Sequence, residues 1–125
     1  MRTKSPKLPT GASKLATRHP AVWESFAELG ECCAEAGPLD VRTRHLVKLA
    51  LATGAGLEGA VHSHARRALS EGVTGEEIRH IALLAIPTLG LSTAVRAMTW
   101  MDDITDSARP TRKVVKKRRA SSRSR

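Results

Sequence analysis

Three histidines cluster in the middle of the chain: His45, His62 and His64. His64 stands three residues after Val61 and four before Ala68, so helical spacing puts it on the same side as those apolar residues. A histidine so placed is either a proton carrier in a pocket between helices or a hydrogen-bonded core residue. His45 precedes it in a separate apolar segment and is placed to face it across two helices. Two such rings relay a proton without a carboxylate, each tuned by burial and by the other's charge. The plainer reading of His45 is a polar residue at the start of a helix. His62 lies two residues before His64, about 200° further round a helix, so the pair cannot hold one ion from one face. Its helical neighbours are instead Glu58 and Arg66. Glu58, in a first helical turn, complements the helix dipole, or holds a histidine or Arg44. A metal held by His45, His64 and Glu58 is conceivable, but the expectation is no metal. His80, among Glu76, Glu77 and Arg79, reads as a surface residue. Cys32 and Cys33 are adjacent, cannot bridge each other without strain, and read as small apolar residues.

Helices must position these residues. Proline in the first turn at His19-Pro20 opens one, with Val22, Trp23, Phe26, Leu29 and Cys33 at helical spacing, and Gly37-Pro38 ends it. Asp40 is the predicted N-cap of a second, with Leu46, Leu49, Ala50 and Thr53 on one face and Val47 and Leu51 beside it. Apolar on much of its girth, it reads as central, and Gly54-Ala55-Gly56 breaks it. A third runs from about Leu57 to Ser70, with Val61, Ala65, Ala68 and Leu69 inward and Gly72 closing it. Thr74 and Glu77 form a capping box ahead of Ile78, Ile81, Ala82, Ala85 and Ile86, with Pro87 and Gly90 as interruptions. A last helix from about Ser92 to Asp106 carries Val95, Met98, Thr99 and Trp100. The prediction is five helices and no strand: an all-α fold whose wide apolar faces call for partner chains.

Charge separates body from tails. The formal net charge of +9 arises from 21 Lys+Arg against 12 Asp+Glu over 125 residues. Residues 109–125 hold nine Lys/Arg and no acid, residues 1–18 hold five and no acid, and residues 19–108 are net −5. The expected organisation is a basic flexible segment over 1–18, a helical domain over 19–107 and a disordered basic tail over 108–125. The tail over 109–125 suits counterion displacement from nucleic acid, or an acidic partner, but no aromatics are interleaved for base stacking. With aromatics at 2%, the core must be aliphatic, and two adjacent cysteines exclude a disulfide scaffold and a cysteine-rich zinc finger. No apolar run reaches the ~20 residues of a membrane span, and the basic start lacks a secretion signal's apolar stretch. The expected compartment is cytoplasmic, with no membrane contact.

The stretch from Leu39-Asp-Val-Arg-Thr-Arg-His-Leu to Gly54, then Glu58-Gly-Ala-Val-His-Ser-His-Ala to Leu69, then Gly72-Val-Thr-Gly-Glu-Glu-Ile78, resembles the carboxymuconolactone decarboxylase family, which includes the alkylhydroperoxidase D-like proteins. The resemblance implies an all-α fold that interlocks as a homo-oligomer, a trimer or hexamer. In the alkylhydroperoxidase branch, aligning the conserved-type histidine with His64 places the two cysteine positions at Leu57 and Ala60 and the upstream glutamate at His45. Thiol peroxidase chemistry needs a thiolate and a resolving thiol, so these residues disfavour it. The decarboxylase branch uses neither thiol, metal nor organic cofactor, and Glu58 and His64 match its spacing.

The resemblance thus implies a cofactor-free acid–base enzyme, lyase-like, acting on a small carboxylated or carbonyl compound. His64 carries the proton, Glu58 and His45 support it, and Arg44 and Arg66 bind substrate, with Arg42 and Arg67 also available. Two alternatives stand beside it. One is a non-catalytic oligomeric scaffold whose basic tail binds nucleic acid or an acidic partner. The other is a peroxidase-related protein that borrows Cys32 or Cys33 from a neighbouring subunit.

Overall fold

The computed structural model describes residues 10–107, which form six helices: α1 (Thr10–Arg18), α2 (Pro20–Glu35), α3 (Val41–Ala55), α4 (Glu58–Ser70), α5 (Gly75–Leu89) and α6 (Leu91–Thr105). Among the described residues there is no strand, so the all-α expectation holds. No helix among them is long and apolar enough to cross a membrane. The basic tail over 108–125 and the first nine residues lie outside the described residues.

Helices α3 to α6 pack together, α5 on α6, α3 on α4 and α5, and α4 on α6, while α1 packs on α2. The core combines a few large side chains, Leu49, Val61, Ile78, Met101 and Ile104, with many alanines, among them Ala52, Ala65, Ala68, Ala82 and Ala97. Alanine at a helix crossing lets the two axes approach closely, so a small chain reaches native packing density without aromatic bulk.

The local start signals act as their chemistry dictates. The Asp40 carboxylate accepts a hydrogen bond from the Thr43 amide at 2.8 Å and caps α3. Thr74 and Glu77 form the reciprocal capping box of α5, each side chain accepting from the other's backbone amide.

The structure corrects four expectations. First, residues 10–18 of the segment expected to be flexible form α1. Its signal was small: Ala12, Leu15 and Ala16 repeat at helical spacing but are outweighed in composition by polar and basic residues. Second, the expected break over Gly54-Ala55-Gly56 holds but is narrower: Gly54 itself stays helical, because glycine within a helix is a modest cost and not a stop. The stop is Gly56, at φ 68°, whose amide donates to Ala52 and Thr53. Third, Pro87 does not end α5, which continues to Leu89 and stops at Gly90. Proline at 87 forfeits only the one hydrogen bond that an amide there would give to the Leu83 carbonyl, and the helix continues because the Gly90 amide still donates to Ile86. Fourth, the inward faces of α2 and α6 differ from the periodic reading. On α6 the buried residues are Ala94, Ala97, Met101, Ile104 and Thr105, while Val95 and Thr99 are exposed. The small alanines permit the close approach that Val95 would obstruct. On α2 no residue is buried, and Phe26 is 60% exposed.

Gly56 offers a direct check on the α3 stop. An alanine there would sit in the left-handed region, and its Cβ would fall 2.8 Å from the movable tip of Arg96. Since that tip can give way, the backbone term dominates. Gly56→Ala should cost about 1 kcal/mol and lower Tm by about 4–8 °C, read by thermal denaturation; an unchanged Tm would show that the glycine is not the stop.

Candidate functional site

A cavity of about 560 Å³ opens between the α1–α2 hairpin and α4, within the range of small-molecule sites. Trp23 and Phe26 of α2 form one side; Ala60, Ser63, His64 and Arg67 of α4 form the other. Ala12 and Leu15 of α1 contribute to the wall. The α4 residues follow from helical spacing: positions 60, 63, 64 and 67 recur at three and four residues and define one stripe. The neighbouring stripe, Val61, Ala65 and Ala68, about 120° round the helix, is buried in the core and fixes the rotation of the helix.

The site is apolar with a few polar groups. Arg67 is the one formally charged side chain among the described residues that line it. His64 Nδ1 is buried without a hydrogen-bond partner among the described residues, and so is His45 Nδ1. A ring nitrogen so placed is costly and marks a position held for reasons other than stability. The His64 pKa is lowered from 6.5 to about 4, by burial first, then by the positive charges of Arg67, Lys48 and His45. His45 is also lowered, again by burial first; Glu71 opposes this, while Lys48, Arg67 and Arg44 add to it. The two histidines are therefore within each other's field, on the packed helices α3 and α4. Both rings are neutral near pH 7, in a neighbourhood of positive charge.

The sequence-derived candidates divide. His64 lines the cavity, and His45, on α3, acts on it through its charge but does not itself line the cavity. Glu58 does not join them: its carboxylate lies with His62 and Asp103, on a different side of α4, and it does not line the cavity. Arg44 donates to the Ala34 carbonyl at 2.6 Å and pairs with Glu35 at 3.8 Å, tying the start of α3 to the end of α2. Arg66 is also absent from the cavity wall, and the adjacent Arg67 takes its place. The offset is one residue, about 100° of helix, and the spacing of three from His64 was the signal that distinguishes Arg67. Arg42 pairs with Glu77 across α3 and α5. Ser63 and the aromatic pair Trp23 and Phe26, with ring centres 5.6 Å apart, went unassigned because the periodic reading took that face as core and not as cavity wall.

The two positions that would carry sulfur are also placed. Ala60 contributes a methyl group to the cavity wall beside His64, and Leu57 is exposed at the start of α4. Cys32 and Cys33 are free and exposed on α2, and neither lines the cavity. His80 is exposed, as its charged neighbours suggested.

A sequence comparison with protein families matches the carboxymuconolactone decarboxylase family over residues 20–103. No curated protein and no solved structure matches the chain.

Proposed function

Since the chain belongs to the carboxymuconolactone decarboxylase family, we propose that it is a cofactor-free acid–base enzyme, lyase-like, for a small carboxylated compound. The observation that carries this reading is the cavity wall on α4, where the partly buried His64, its Nδ1 buried without a partner among the described residues, stands three residues from Arg67 in an otherwise apolar pocket. Arg67 holds a substrate carboxylate, and the fork of its guanidinium fixes the orientation. Trp23 and Phe26 offer the substrate's carbon skeleton an apolar wall. The carboxylate leaves as CO₂ and its bonding pair stays on the substrate carbon, delocalised into a neighbouring carbonyl. The neutral His64 ring passes its N–H proton to that carbon while its other nitrogen takes one from solvent through His45, so the ring ends neutral and the proton consumed comes from water. Ser63 is placed to donate a hydrogen bond to the developing oxyanion. Glu58 has no part in this scheme.

The working enzyme is a homo-oligomer. Val22, Phe26 and Leu29 on α2, and Leu84, Leu91 and Val95 on α5 and α6, are all more than half exposed. Large apolar residues in that number are the mark of faces covered by further copies. A purified preparation should therefore run well above the 13.5 kDa of one chain by light scattering. The same preparation should release CO₂ from carboxylated γ-lactones or β-keto acids without added metal or cofactor. A monomer, or a panel of such substrates without turnover, counts against the proposal.

A further inference from the structure

Across α4 from the cavity lies a second group of side chains that the proposed reaction does not use. Glu58 and His62 are four residues apart on α4, so they sit one above the other on the same stripe. Asp103 reaches them from α6, which packs on α4. Its Oδ2 is 3.0 Å from His62 Nε2, and one ligand atom from each of the three residues lies within 4.8 Å of the others. His62 is partly buried, while Glu58 and Asp103 are exposed, so the group opens to solvent on one side. Neither Glu58 nor Asp103 is paired with a Lys or Arg among the described residues, so the two carboxylates of the trio have no direct cationic partner there.

We propose that Glu58, His62 and Asp103 form a binding site for a borderline divalent cation such as Zn²⁺. A zinc ion about 2.0–2.2 Å from each ligand sets those ligands roughly 3.0–3.5 Å apart. The His62–Asp103 separation already has that value. Glu58 needs a shift of roughly 1 Å or so, within reach of an exposed, rotamer-rich side chain at the end of its helix. The ion takes the place of the hydrogen shared between His62 and Asp103 and neutralises both carboxylates. One nitrogen and two oxygens favour Zn²⁺, Co²⁺ or Ni²⁺ over Mg²⁺ and Ca²⁺, which prefer all-oxygen shells. Three protein ligands leave room for water, so the ion is exchangeable. Because the ligands come from two helices, the bound ion staples the start of α4 to the end of α6.

The test is calorimetric titration of the full chain with Zn²⁺, in a Cys32→Ser/Cys33→Ser background so that the exposed thiols do not compete. One Zn²⁺ per chain is expected, with Mg²⁺ giving no heat. His62→Ala and Asp103→Asn should each weaken Zn²⁺ binding by at least about tenfold, and His80→Ala should leave it unchanged. Zn²⁺ should raise Tm of the parent but not of Asp103→Asn. Parental Zn²⁺ affinity in both His62→Ala and Asp103→Asn, or no binding by the parent, would overturn the proposal. All three ligands lie outside the core, so the variants retain their fold, and circular dichroism confirms it.

Discussion

Replacing His64 by Gln should lower turnover by about 10²- to 10⁴-fold, the usual contribution of a positioned proton carrier, while helical content stays unchanged. Glutamine keeps a polar, hydrogen-bonding group of similar reach but cannot carry a proton. The loss should appear in kcat, because the proton moves only in the transition state. Arg67→Gln should behave differently. It removes the charge that holds the substrate carboxylate in the ground state, and that group is losing its charge in the transition state, so most of the effect should fall on KM. The contrast separates a chemical role from a structural one. A general loosening of α4 would move both constants in both variants. Full kcat in His64→Gln would remove the ring from the reaction and leave the cavity as a binding site.

Acidification should destabilise the protein in a window that points to the same ring. His64 titrates near 4 when folded and near the ordinary 6.5 when unfolded. Between those values the unfolded chain takes up a proton that the folded one refuses. Stability is therefore fully present above pH 6.5 and drains away as pH falls towards about 4. His45 is shifted in the same direction and adds to the slope. The groups facing His64 are Arg67, Lys48 and His45, all of which oppose its protonation. With solvent screening of a partly exposed ring allowed for, its share is about 1–2 kcal/mol. Asp40 and Glu77 are lowered by their capping hydrogen bonds, so their contributions fade only at lower pH, below the ordinary carboxylate range. Urea denaturation at a series of pH values, with a chelator present, should show falling stability from about pH 6.5 to 5. His64→Gln should flatten that slope. If its slope matched the parent's, the acid response would belong to other groups.

How far the site could be read from the chain depended on which physical signal each part left. Caps and the core stripe of α4 were legible because they are local: Asp40 to Thr43, Thr74 to Glu77, and Val61 with Ala65 and Ala68 all act within one or two turns. His64 was legible for the same reason, lying beside that stripe. Glu58 was misjudged because a spacing of six residues turns the helix by about 600°, leaving the pair about 120° off a common face. The roles of Trp23 and Phe26 depend on where the hairpin lies against α4, which no local pattern encodes. Alanine hid the inward face of α6, since Ala94 and Ala97 weigh less than Val95 in any hydropathy reading yet are the residues buried.

Helix α4 carries three stripes with three duties. Val61, Ala65 and Ala68 face the core, His64 and Arg67 face the cavity, and Glu58 and His62 face Asp103. This makes the helix a poor place for insertions or deletions to survive. One residue added after Gly59 would turn everything beyond it by about 100° relative to Glu58. If the core then reclaimed its apolar stripe, the cavity wall and the His62–Asp103 contact would be kept and Glu58 would swing away from both; otherwise the core stripe, the wall and His62 would all be displaced together. Descendants of this chain should therefore vary in length between the helices, at 36–40, 71–74 or 106 onwards, and hold the spacing from 58 to 68 constant.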